Sequence, residues 1–210
     1  MGTQKDSEAT RAKIIEAAGQ LFAVRGFHGV TVRDIAKKAD IHFSLLNYHF
    51  KGKDALYREV LLHACRSALM SPEERDYLQD LDPQEALFLF AKETINIYSK
   101  QPAFSWKLAI IDREFWEPSP VFEEVFEEYI KPETDFIAEI ISRISGKPKE
   151  SLDVRFSIIG LTGLLSIFGY YNHYVDAIAP DIREISHEKD CLVRKIVSMA
   201  MDAVKDTDIE

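Results

Sequence analysis

Cysteine is scarce in this chain, and its scarcity excludes a disulfide scaffold. Two cysteines in 210 residues, Cys65 and Cys191, make no framework. Each falls in an amphipathic pattern, where a small buried hydrophobe is expected. The opening MGTQKDSEAT lacks the apolar run of a signal peptide, so a reducing cytoplasm is expected. No phosphate-cradling glycine loop and no G-x-S-x-G elbow occur, which removes the commonest nucleotide and hydrolase readings. The six histidines form no close helical pair with a carboxylate, so no metal site and no cofactor are expected. No stretch alternates apolar and polar residues convincingly, and no internal repeat is visible. The expected fold class is all-α.

One absence raises a different possibility. Phe156 to Val175 holds no Asp, Glu, Lys or Arg across 20 residues, long enough to cross a bilayer. It also carries Ser157, Thr162, Ser166, Asn172 and His173 and stands alone in an otherwise soluble sequence. A helix buried on nearly all sides is expected, and no membrane partner.

Charge is present but divided. The net charge of −9 taken as an average argues against nucleic acid. Residues 1–70 reverse that, with 11 Lys+Arg against 7 Asp+Glu, a balance of +4. Residues 71–210 hold 15 against 28, a balance of −13. A basic head on an acidic body suits a protein that presents one end to phosphates.

Thr31 to Phe50, TVRDIAKKADIHFSLLNYHF, carries the most information. Val32, Ile35, Ala36 and Ala39 lie on one helical face. Thr31 with Asp34 resembles a capping box, with Asp in place of Glu. Asp40 sits where the chain must reverse, and Asp tolerates left-handed backbone. Ile41, Leu46 and Phe50 resume the apolar stripe, while His42, Phe43, Ser44, Asn47, Tyr48 and His49 stand off it. Two helices so joined form a helix-turn-helix. Short polar and planar side chains near the start of its second helix read bases, which here are His42, Phe43, Ser44 and Asn47. Asn can pair with adenine, and Phe can pack on a thymine methyl.

Along the chain, a polar arm of nine residues precedes a helix from about Thr10, ended by Gly26. Helix four runs from about Asp54 to Met70, and Ser71-Pro72 breaks the pattern, so domains are expected at 1–70 and 71–210. Asp82-Pro83 opens the next helix as cap and first residue. A helix over about 103–116 stops at the prolines that follow. Pro132 should kink or break a helix over 121–144. A long helix from about Ser151 to Tyr174 and a last one over about 186–205 close the chain. The long helix has Ser157, Gly160, Gly163, Ser166 and Gly169 every three positions. Glycine costs about 1 kcal/mol against Ala inside a helix, and close approach of another helix is the usual compensation.

Arg11 to Leu69 resembles the DNA-binding domain of the TetR family of bacterial regulators. The residues that carry the likeness are LFAVRGF (Leu21 to Phe27), the helix-turn-helix ending in NYHF (Asn47 to Phe50), and KGKDALYREVL (Lys51 to Leu61). REFWEPSPVFEEV (Arg113 to Val125) resembles the ligand-domain segment of the CecR-like branch, whose recognition helices also often carry Asn before Tyr-His-Phe. Two positions depart from the family pattern: Asp40 stands where Gly is usual and His42 where Ser is frequent. The resemblance implies that Tyr48 and His49 lie at the DNA backbone and that Lys53 binds phosphate. Thr31 and Arg33 complete the DNA-facing set.

It further implies that the last two helices form a homodimer, with Gly160, Gly163, Ser166 and Gly169 at the interface, and that the second domain encloses a small-molecule effector. The aromatic-rich middle of the chain supplies Tyr98, Trp106 and Trp116 for that pocket, and His63, Arg66, Arg113 and His173 are polar groups able to orient a ligand. The function implied is a ligand-responsive, double-stranded-DNA-binding regulator, most often a repressor released from a palindromic operator by an apolar effector. An activator of the same fold fits the same head. A small all-α enzyme would need a positioned acid, base or nucleophile, and none is apparent. A purely structural helical dimer leaves Asn47, Tyr48 and Lys53 without a reason to face outward.

Overall fold

The computed structural model describes residues 2–100, 105–169, 172–182 and 189–205. Among them there are helices and no strand. The chain packs as two units, residues 1–69 with 104–131 and residues 70–103 with 132–210.

The first unit is built on α1 (Gly2–Arg25), α2 (Val32–Lys38), α3 (Phe43–His49), α4 (Lys53–Ala68), α7 (Trp106–Trp116) and α8 (Phe122–Val125). Helix α1 begins at Gly2 rather than near Thr10, because residues 2–9 contain no proline to stop it from extending upstream. It buries Ile14, Ala18 and Phe22. It ends at Gly26, whose φ of 70° suits a residue without a Cβ and whose N–H donates to the Phe22 carbonyl. Phe22 and Phe27 each meet the Tyr57 ring edge to face, at 4.7 and 5.0 Å, and tie the end of α1 to α4. Helix α7 lies on α1 and α4. Trp106 is buried there, its ring over Gly19 and its Nε1–H donated to Glu16 at 2.9 Å.

After α8 comes a π-helical turn, Phe126–Ile130, and then α9 (Lys131–Ser145). Pro132 has no N–H to donate to the carbonyl four residues back, which is why the α pattern gives way just before it. The turn and α8 hold α4 through Arg58, which bonds Glu124 at 2.6 Å and reaches Glu128 at 3.5 Å, and through Arg66, whose Nε donates to the Tyr129 hydroxyl at 3.1 Å.

The second unit contains α5 (Pro72–Gln79), α6 (Pro83–Lys100), most of α9, α10 (Leu152–Gly169), α11 (Asn172–Ile178), α12 (Lys189–Met201) and a 3-10 turn at Asp202–Val204. Its core joins Leu87, Phe90 and Ile95 of α6 with Ile137, Ile140 and Ile141 of α9, Leu161 and Leu165 of α10, and Val193 and Ile196 of α12. Asp82 caps α6, accepting from the Gln84 and Glu85 amides.

Helix α10 is long and apolar enough to cross a membrane by length and composition. The expectation of burial on nearly all sides is corrected: α10 packs one face on α6 and α12 and leaves Leu152, Phe156 and Ile159 exposed at 62–69%. The pairing of cysteines as buried hydrophobes is corrected too, since Cys65 is buried and Cys191 exposed. The expected helix starts near 103 and 186, and residues 170–171 of the expected helix from Ser151 to Tyr174, lie outside the described residues.

Candidate nucleic-acid interface

The motif forms through local bonds. Thr31 is the N-cap of α2: its Oγ1 accepts the Asp34 amide, and the Asp34 carboxylate accepts the Thr31 N–H at 2.9 Å. Those bonds from Thr31 hold the Asp34 carboxyl below the usual carboxylate range. Asp40 takes φ 52° at the reversal between α2 and α3. His42 then caps α3, its ring nitrogen Nδ1 accepting the Ser44 amide at 3.3 Å.

Helix α3 buries one of its own side chains, Leu46, and ends on the buried Phe50. With that anchor set, the seven residues must turn their other positions outward. Ser44, Asn47 and the cap His42 are exposed, as are Phe43 at 42% and Tyr48 at 80%. His49 is half-buried and meets the Tyr48 ring edge to face. Arg33 is exposed on α2. Leu45, exposed at 37%, belongs to the same outer surface and was not singled out from the sequence. The signal for it was available: it precedes Leu46, and two neighbours cannot share one helical face.

Lys53, to which the resemblance assigns a phosphate, also has partners within the subunit. Its Nζ donates to the Val30 carbonyl at 3.0 Å and sits 4.3 Å from the centre of the Phe27 ring. In this position it fastens the start of α4 to the turn after α1. Lys51, two residues earlier, is exposed.

The seven candidate ligand residues are divided between the two units. In the first unit, His63 stacks on Trp106 at 6.0 Å, and burial, then the Lys107 charge, holds its ring below the ordinary histidine value. Arg66 is engaged with Tyr129. Arg113 bonds Glu117 at 2.8 Å and lies against Gly26, where any Cβ would meet its guanidinium. Trp116 is exposed at 83%. In the second unit, Tyr98 covers Gly169, and His173 is exposed. Of this set, His63 lines an open groove of about 810 Å³ beside α1, with Arg11, Glu16, Gln20 and Ala39.

The small-residue stripe of α10 divides. Gly160 and Gly163 have open space where a side chain would go. Gly169 packs under the Tyr98 ring, and Ser157 is buried, donating to the Ala200 carbonyl at 2.8 Å. Ser166 is half-buried. Gly169 therefore serves packing within the subunit, a correction to its grouping with the interface glycines.

Comparison with known proteins agrees with this geometry. Residues 14–60 match the family described as bacterial regulatory proteins, tetR family. Residues 83–204, more than half the chain, match the C-terminal domain of the HTH-type transcriptional dual regulator CecR. The chain is 26% identical over 172 residues to the probable HTH-type transcriptional regulator YttP of Bacillus subtilis, covering 81% of this chain and 82% of the other. Among solved structures it resembles HlyIIR, a hemolysin II transcriptional regulator, with TM-score 0.63 and 22% identity, covering 92% of this chain and 97% of that one. It also resembles AibR in complex with isovaleryl coenzyme A and operator DNA, with TM-score 0.60 and 20% identity, covering 76% and 85%. A helix-turn-helix head and a regulator-type body thus occur in one sequence, and the chain belongs to the TetR family of bacterial transcriptional regulators.

Proposed function

We propose that this regulator is a cytoplasmic repressor that binds a two-fold operator as a homodimer and leaves it when a small, mainly apolar molecule binds. The observation that carries the DNA-facing part is the outer surface of α3. A helix that buries only Leu46 and turns Phe43, Asn47 and Tyr48 to water gains nothing in stability from those choices. It gains a face that fits a major groove, with an amide for adenine and a ring for thymine methyls.

The dimer is supported by the unpartnered stripe of α10, where Phe156, Ile159, Gly160 and Gly163 recur at helical spacing. The effector response is supported by AibR, a protein of similar fold whose structure holds both operator DNA and a small ligand. Such a ligand shifts DNA affinity only by binding one shape of the protein better than another. Trp106 and Arg113 pack within the first unit, against Gly19 and Gly26.

Selection of genomic fragments by the purified protein tests the reading. The expected result is a palindrome whose half-sites lie about one helical turn apart, or a little more. Fragments enriched without any common two-fold sequence would overturn it. Compounds that raise the melting temperature and release the selected DNA in one concentration range identify the effector.

A further inference from the structure

Histidine is not among the usual N-cap residues, yet His42 caps α3. The consequence is chemical. A backbone N–H can only donate, so the Nδ1 atom that accepts the Ser44 amide must present its lone pair. Ser44 Oγ lies 2.8 Å from the same atom, able to donate to it as well. In the neutral ring the proton then sits on Nε2. The cap has selected one tautomer, and the other edge of the imidazole is a donor that no hydrogen bond among the described residues engages.

His42 is exposed at the start of the DNA-facing helix, the end whose residues contact base edges in helix-turn-helix docking. The four bases offer it different partners. Guanine presents two acceptors in the major groove, N7 and O6. Adenine sets a donor beside its single acceptor, cytosine presents a donor, and thymine sets a methyl group beside its oxygen. A pure donor fits guanine best.

We infer that His42 reads a guanine in each operator half-site through its Nε2–H, with the cap on Ser44 fixing the tautomer that makes this possible. The inference rests on the DNA-facing reading of α3. It separates His42 from Asn47, whose amide matches adenine. A phosphate oxygen could accept the same hydrogen, so the test distinguishes base from backbone.

The test is selection from randomised duplex DNA by the intact protein, its His42→Ser variant and its His42→Ala variant. Serine is a good N-cap but too short to reach a base, so the Ser variant keeps the helix start and loses the reader. The wild type is expected to select guanine at one symmetric position of each half-site. His42→Ser should lose that preference by about 5- to 150-fold, keep the other positions and keep the melting temperature. Replacing that guanine with 7-deazaguanine should weaken the wild type and leave His42→Ser unaffected. A variant that still selects the same guanine would overturn the inference. So would an equal loss of affinity on every duplex, which marks a phosphate contact, or equal weakening of both proteins by 7-deazaguanine. A wild type that selects no two-fold sequence would overturn the DNA-facing reading as well. His42→Ala should lose guanine selection and also melt lower; guanine selection retained there would again count against the assignment.

Discussion

Glu114 shows at the level of one residue how the head tolerates a buried charge. It is 1% exposed, and its carboxylate accepts from the Tyr57 hydroxyl, the Ser119 amide and the Ser119 hydroxyl. Burial, then the bond to Glu114, pushes the Tyr57 phenol upward, so it stays a donor at every physiological pH. Tyr57→Phe should cost about 1–3 kcal/mol, because it removes one of three donors from a buried acceptor while changing shape little. Urea denaturation measures it, and a variant as stable as the wild type would show the bond to be idle. Glu133 behaves differently. It accepts the Met70 amide at 2.8 Å, and burial raises its carboxyl from 4.5 to about 7, against the lowering effect of that bond and of Arg75. Between those values the folded protein holds a proton that the unfolded chain has lost, so stability falls as pH rises. Below about 4.5 both states are protonated, and above about 7 both are ionised, so the effect is flat outside the window. Relative to Glu133→Gln, which carries no charge, the wild type should lose up to about 3 kcal/mol between those pH values. Parallel stability curves for the two proteins would refute the burial of that carboxyl.

At the scale of elements, the packing of α7 on α1 turns on Gly19. An added Cβ would lie 2.3–2.5 Å from three atoms of the Trp106 ring. Gly19→Ala gains about 1 kcal/mol of helix propensity. The collision should outweigh it, since overpacking a filled core typically costs about 1–3 kcal/mol and here the neighbour is a rigid ring. The expected outcome is a lower melting temperature together with a shift in tryptophan emission, and a variant more stable than the wild type would mean that α7 shifts aside freely. This contact also shows where the sequence stops being legible. The capping box of Thr31 and Asp34, the left-handed Asp40, the stop at Gly26 and the start at Asp82-Pro83 could all be read in advance, because each depends on residues within four positions. The all-α class followed from helical spacing in the same way. The grouping of 104–131 with the head could not, because it depends on Trp106 meeting residues some 90 positions earlier. Aromatic richness in mid-chain looks the same whether it lines a ligand pocket or fills the seam between helices. The contacts of Lys53 with Val30 and Phe27 were not legible for a related reason: a lysine at a helix start suits a phosphate and a carbonyl equally. The exposed α3 positions were legible because they interrupt an apolar stripe that local pattern alone reveals.

At the scale of the whole molecule, the exposed stripe of α10 is the surface on which the proposed dimer depends. Leu152, Phe156 and Ile159 are each more than 60% exposed, beside two glycines with open space in front of them. Full burial of such a side chain is worth about 1.5–3 kcal/mol. About two thirds of that remains to be gained here, so three on each of two copies give about 6–12 kcal/mol, within the roughly 4–15 kcal/mol lost on association. The hydrophobic gain can therefore sustain a pair, provided the backbones approach closely enough to seal the contact. Gly163 decides that approach. Gly163→Leu should leave the subunit folded, since nothing within 4 Å opposes the new side chain. It should also hold two copies apart, so sedimentation is expected to show a monomer with unchanged helicity. Operator affinity should fall with it, because a lone head makes half the phosphate contacts, and the dependence of binding on salt should flatten by about half for the same reason. A wild type that remains monomeric at micromolar concentration would remove the dimer. A Gly163→Leu protein that sediments as a dimer and keeps its full salt dependence would move the interface to another face.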